Sequence, residues 1–87
     1  MIDVRQIDDT HFEVTVRGGV TTTHVVTVRA EYRSRLGCDD LSGAELVRRS
    51  FEFLLEREDN TSILRRFDLS EIAGYFPEYE RAVRSSG

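Results

Sequence analysis

The chain has 87 residues, a net charge of −4 and 39% hydrophobic residues, which suits one domain (1–87) with a single modest core. An acidic balance argues against strong non-specific binding to nucleic acid or to an anionic membrane, because such binding depends on clustered positive charge. Since Cys38 is the only cysteine, an internal disulfide is excluded and a reducing cytoplasm is favoured.

Three strands are predicted at residues 2–7, 11–17 and 21–29, which alternate apolar and polar side chains and are rich in β-branched residues. A one-residue slip turns a whole strand over, so the register that collects the apolar side chains on one face is favoured. That register pairs Val16 with Thr22 and Val4 with Val14, and it predicts an antiparallel meander. One face, which we name the dry face, carries Ile2, Val4, Phe12, Val14, Val16, Val26 and Val28; the wet face carries Asp3, Arg5, Glu13, Thr15, Arg17, Thr23, Thr27 and Arg29.

Two helices are predicted next. Residues 30–36 form a short one that ends at Gly37. The stretch 41–58 forms one long helix, which begins with the S-x-x-E capping box of Ser42 and Glu45. Its apolar stripe is wider than one packing surface needs, because Leu46 and Phe53 lie on a flank of it.

The C-terminal third predicts short helices that close the core. Residues 63–67 read as one helical turn, and Asp68 and Glu71 form a second box-like cap before a short helix. Pro77 is a favourable first residue for a last helix, which carries Tyr79 on one side.

The residue types that carry chemistry do not form a recognisable site. His11 and His24 fall on opposite faces of the meander and cannot share a metal ion, and His24 is expected to pack at the margin of the dry face. Cys38 has no flanking cation to activate it, and Asp39 with Asp40 falls short of a calcium loop. No catalytic, cofactor-binding or metal-binding residue is predicted, and the chain is not expected to be an enzyme.

The C-terminal half resembles a group of small bacterial proteins with no assigned function. The shared runs are L-L-E-R-E, T-S-I-L and Y-F-P-E-Y-E, within a similarity that extends over residues 23–80. The resemblance implies no activity and marks no catalytic residue.

A second, local resemblance is to ribbon-helix-helix DNA-binding proteins. The run H-V-V-T-V-R, a short helix and a capped S-G-A-E-L-V-R-R helix follow in the order of that family. In that family two chains pair their strands and place the ribbon in the major groove. The resemblance implies DNA contacts by Thr23, Thr27 and Arg29.

The sequence therefore predicts an α+β domain in which a three-stranded antiparallel meander packs on one long helix and short C-terminal helices. The leading function hypothesis is a cytoplasmic, non-enzymatic module that acts through a protein partner or as a homodimer, without cofactor, nucleic acid or membrane. Its expected interface is Leu46, Phe53, Tyr75 and Tyr79, since a wide apolar arc and clustered aromatics favour contact surfaces. The alternative is a dimeric ribbon-helix-helix-like DNA-binding regulator.

Overall fold

A computed structural model describes residues 1–38 and 40–85, so Asp39 lies outside the described residues. The fold is α+β, as predicted. Its strands are β1 (Ile2–Gln6), β2 (His11–Val16), β3 (Thr22–Thr27) and β4 (Arg66–Asp68), and its helices are α1 (Ala30–Leu36), α2 (Gly43–Leu55), α3 (Ile72–Tyr75) and α4 (Tyr79–Ser85). Single 3-10 turns lie at Asn60–Ser62 and Leu69–Glu71.

The antiparallel part of the sheet has the predicted register. Val16 pairs with Thr22, and Val4 pairs with Val14, so the side chains divide between the two faces as expected. The dry-face residues are buried, except that Val4 at the sheet edge is half-buried. The helices cover this face, and the wet face is open to solvent.

The sheet is mixed, which corrects the prediction of a purely antiparallel meander. Its strand order is β1-β2-β3-β4, and β4 runs parallel to β3 with Val26 opposite Phe67. The segment that was predicted to be a helical turn is therefore extended. Ile63 and Phe67 are four residues apart, a spacing that fits one face of a helix and also one face of a strand, and both side chains are buried.

The long helix predicted over residues 41–58 is not found at that length. The Ser42 hydroxyl accepts a hydrogen bond from the Glu45 N–H at 3.0 Å, as the N-terminal signal predicted. However, α2 has 13 residues and ends at Leu55. The shorter α1 ends as expected at Gly37, whose positive φ of 74° favours glycine.

Gly43, the first residue of α2, lies against the ring of Phe12. A Cβ at Gly43 would clash with Cζ of Phe12, a side chain that is itself buried. The close approach of α2 to the sheet thus depends on the missing side chain.

We predict that Gly43→Ala destabilises the fold. Alanine gains about 1 kcal/mol of helix propensity over glycine, but overpacking a core contact costs about 1–3 kcal/mol. The matched control is Gly74→Ala in α3, where an added Cβ meets open space and a small gain in stability is expected. Urea unfolding of the two variants measures both changes, and equal stabilisation of both would show that the Phe12 ring does not hold its place.

Candidate protein-binding groove

Three of the four residues expected at an interface lie in the core. Leu46 and Tyr79 are fully buried and Phe53 is 7% exposed, whereas Tyr75 is 68% exposed. The expectation that Leu46 and Phe53 form a surface patch is therefore wrong. Only Tyr75 stays available to a partner.

The reason is that α4 packs on the flank of α2 that carries these residues. The ring of Phe53 contacts the rings of Tyr79 and Phe76 at centroid distances of 5.3 and 5.9 Å. The guanidinium of Arg57 lies 3.6 Å from the centroid of the Phe53 ring and covers it from solvent. The wide arc of α2 thus packs on two surfaces, the sheet and α4.

Tyr79 joins α4 to α2 through a buried hydrogen bond. The Ser50 hydroxyl donates to the Leu46 carbonyl at 2.8 Å, so the Tyr79 hydroxyl, 2.7 Å away, donates to Ser50. Burial raises the pKa of the Tyr79 phenol, which keeps the donor proton in place.

We predict that Tyr79→Phe lowers the free energy of unfolding by about 1 kcal/mol, because a buried hydrogen bond is lost while Ser50 keeps its other partner. Tyr75→Phe is the control, since its hydroxyl is on an exposed side chain and its loss should change stability little. Chemical unfolding of both variants is the measurement. An unchanged stability of Tyr79→Phe would show that this hydrogen bond does not hold α4.

Tyr75 lies at the rim of an apolar groove with a volume of about 150 Å³. The groove lies beside β4, between the end of α2, the segment 62–64 and α3. Its apolar lining is Leu54, Ile63, Leu64, Phe67, Ile72, Tyr75 and Phe76, and its polar lining is Glu58, Ser62 and Glu71. Leu64 is 49% exposed, so that it and Tyr75 form an apolar rim above buried side chains.

A partly buried chain of hydrogen bonds holds the segment that carries Leu64 against β3. Nδ1 of His24 donates to the Leu64 carbonyl at 2.8 Å, and its Nε2 lies 2.9 Å from the Thr22 hydroxyl, which donates to it when the ring is neutral. The Asn60 amide donates to the Thr22 hydroxyl at 2.9 Å and to the Val20 carbonyl at 2.7 Å. A neutral imidazole with its proton on Nδ1 satisfies all of these hydrogen bonds.

The surroundings of His24 agree with that state. Burial lowers the pKa of His24 below its usual 6.5, and the positive charge of Arg65 lowers it further, against the hydrogen bond to Leu64 that raises it. The sequence placed His24 at the margin of the dry face, whereas it is fully buried beside Phe51 at a ring distance of 5.3 Å.

We predict an acid-sensitive stability from this histidine. The unfolded chain takes up a proton near pH 6.5 and the folded chain does so only at lower pH, so the free energy of unfolding falls as the pH drops below 6.5. One such group contributes at most about 1.4 kcal/mol per pH unit. Unfolding curves between pH 7.5 and about 5 should show the decline in the wild type and in His11→Gln, but not in His24→Gln. A decline that persists in His24→Gln would assign it to other groups.

The other histidine and the cysteine do not line the groove. Nδ1 of His11 lies 2.9 Å from Oδ1 of Asp8, and hydrogen bonds from Thr10 and His11 lower the pKa of Asp8 to about 2. Cys38 is a buried free thiol. Within residues 1–38 and 40–85, no three His, Cys, Asp or Glu side chains converge as metal ligands. In the same residues, every helix is too short or too polar to cross a bilayer.

The residues that the resemblance assigns to DNA contact lie on β3 or just after it. β3 pairs with β2 along its whole length on one side, and on the other side its residues Val25, Val26 and Thr27 pair with β4. Thr23 is exposed on the wet face and Thr27 is half-buried. Arg29 forms a salt bridge with Asp68 at 3.0 Å. A second chain that paired with the whole of β3 would have to displace β4 from Val25, Val26 and Thr27. DNA contact by Thr23, Thr27 and Arg29 stays a prediction.

Two further depressions of about 300 Å³ are more polar than the groove. One contains the Arg49–Glu45 pair, with nitrogen and oxygen 3.5 Å apart, and the other contains the Arg29–Asp68 pair. Because these charges are paired within the chain, the apolar groove is the better candidate site.

No protein-family model, curated protein or solved structure matches this chain. The functional interpretation consequently depends on the geometry of the groove alone.

Sequence reasoning missed the groove apart from Tyr75. The signal that was available is the pair Ile63–Leu64, because two adjacent apolar residues in an extended segment point to opposite sides, and a sheet covered on one face buries only one of them. Once the segment is read as extended, Leu64 is expected at the surface.

Proposed function

We propose that this chain is a cytoplasmic, non-enzymatic protein-binding module whose groove takes one apolar side chain of a partner, next to a basic residue. The observation that carries the proposal is the exposed Leu64–Tyr75 rim above an apolar base. Tyrosine is enriched at protein interfaces because it combines a large apolar surface with a polar tip. An apolar depression with such a rim is a typical contact surface.

The size of the groove selects the kind of ligand. Sites for cofactors and drug-sized molecules usually enclose about 300–1,000 Å³. The volume of about 150 Å³ found here suits one aliphatic or aromatic side chain. A partner would thus insert a single anchor residue rather than a whole small molecule.

The charge of the groove favours a basic residue next to the anchor residue in the partner. Glu58 and Glu71 are its two charged lining residues, and both are acidic. Glu71 accepts a hydrogen bond from the Asp68 N–H at 2.8 Å as part of a capping box. Glu58 is half-buried and has no ion-pair partner in the part of the chain that the structure describes. A basic residue beside the anchor would complement Glu58 and gain strength from its partial burial.

We predict that peptides selected from a displayed random library on the folded chain share one aliphatic or aromatic residue adjacent to arginine or lysine. Tyr75→Asp and Leu64→Asp should each weaken binding of a selected synthetic peptide by about tenfold or more, because each places a charge at the apolar rim. Glu58→Gln should weaken the basic peptides and leave their neutral analogues unaffected. Fluorescence anisotropy with the labelled peptide measures these constants.

The matched control is Val20→Asp, since Val20 is also an exposed aliphatic side chain, at 59%, but lies outside the groove. Each variant must give the far-ultraviolet circular dichroism of the wild type. Selection without a shared pattern, or peptides that bind Tyr75→Asp and Leu64→Asp as tightly as Val20→Asp, would contradict the proposal.

A further inference from the structure

We propose that β1 is a self-association edge, at which two copies of the chain pair their β1 strands antiparallel about a two-fold axis at Val4. This site is separate from the groove. In the strand order β1-β2-β3-β4, β1 forms one edge of the sheet, while the groove lies beside β4 at the other. Two independent features of β1 favour this pairing: its free backbone groups and its complementary side chains.

The backbone of β1 leaves alternate residues free. Met1 and Arg17 exchange two hydrogen bonds, at 2.8 and 3.0 Å, and Ile7 donates to the His11 carbonyl at 2.9 Å. The odd-numbered residues of β1 therefore bond to β2. The N–H and C=O groups of Ile2, Val4 and Gln6 point away from β2, and they have no other backbone partner in the described residues.

These free groups fit a second β1. Antiparallel pairing through them requires even-numbered residues opposite even-numbered ones. With the axis at Val4, Val4 lies opposite its own copy and Ile2 lies opposite Gln6. All three residues then exchange hydrogen bonds across the axis, and the apolar dry face continues into the second copy.

The side chains on the wet face are complementary in the same register. Asp3 lies opposite Arg5 of the second copy, and by symmetry this favourable pair occurs twice. Met1 and Ile7, which are 82% and 50% exposed, lie opposite each other. Pairing thus covers two of the five large apolar side chains that the described part of the chain leaves exposed.

Neighbouring registers lack this complementarity. An axis at Asp3 places two aspartates opposite each other, and an axis at Arg5 places two arginines opposite each other. The Val4 register also extends ion pairs that already exist within one copy, Arg5 with Glu13 at 3.3 Å and Asp3 with Arg17 at 2.7 Å. Across the axis, each of these ion pairs continues into the ion pair of the second copy, so that acidic and basic side chains alternate in a row.

The edge carries none of the usual protection against pairing. β1 has no proline, its alternation is unbroken by a bulge, and its two charged side chains attract a second copy rather than repel it. The opposite edge is protected by length, since β4 has three residues.

The test is sedimentation equilibrium of the full chain from about 1 μM to 1 mM, because an interface of one strand pair is small and of modest affinity. We expect the wild type to change from monomer to dimer within that range. Val4→Pro should stay monomeric, since it removes an N–H that the single copy does not use and places a ring at the free edge.

Charge variants test the register itself. Asp3→Arg and Arg5→Asp each create two like-charged pairs across the axis and should weaken the dimer by about tenfold or more. The double variant D3R/R5D exchanges the charges and should restore it. Glu13→Gln and Arg17→Gln, which leave the Asp3–Arg5 pairs across the axis intact, are the matched controls and should weaken the dimer much less than either reversal.

Amide exchange gives a readout that does not depend on any variant. Raising the wild-type concentration should slow exchange at Val4 and Gln6, whose N–H groups are free in one copy, and leave Asp3 and Arg5 unchanged. A wild type that is monomeric throughout overturns the proposal. A dimer that survives Val4→Pro and both charge reversals, or that is lost in Tyr75→Asp, also overturns it and moves the contact to another surface.

Discussion

The antiparallel register, with Val16 opposite Thr22 and Val4 opposite Val14, fixes the side on which every side chain of β1, β2 and β3 lies. Because side chains alternate along a strand, this one register places the dry-face residues under the helices. It also determines which backbone groups are used within the sheet. Even-numbered residues of β2 bond to β3 and odd-numbered ones bond to β1, which leaves the even-numbered residues of β1 free at the edge. The core and the exposed edge are therefore two results of the same pairing.

The parts of the fold that were correctly predicted from the sequence depend on local geometry. Gly37 ends α1 because its positive φ favours glycine, and Ser42 begins α2 because its hydroxyl accepts from a free N–H. The sheet register was equally accessible, since a one-residue slip in the pairing of β2 with β3 would take Val14 and Val26 off the same face. Such signals need no knowledge of distant parts of the chain.

The parts of the fold that were predicted wrongly depend on which distant segments pack against them. Leu46 and Phe53 were expected at the surface because the arc of α2 exceeds one packing surface, yet α4 and Arg57 supply the second one. Ile63 and Phe67 fit a helix or a strand equally well, and pairing with β3 decided between them. The candidate groove forms between these same segments, which is why the sequence indicated Tyr75 and no other part of its rim.

The hydrogen bond from His24 to the Leu64 carbonyl joins residues 40 positions apart in the chain. Closing a loop of that length costs roughly 2 kcal/mol more chain entropy than closing the short turns between β1, β2 and β3. The three-stranded part can form from local contacts, whereas the wall of the groove joins it only after α1 and α2 have brought the chain back. An occupant of the groove would hold in place a segment whose return to β3 has a high entropic cost for the chain.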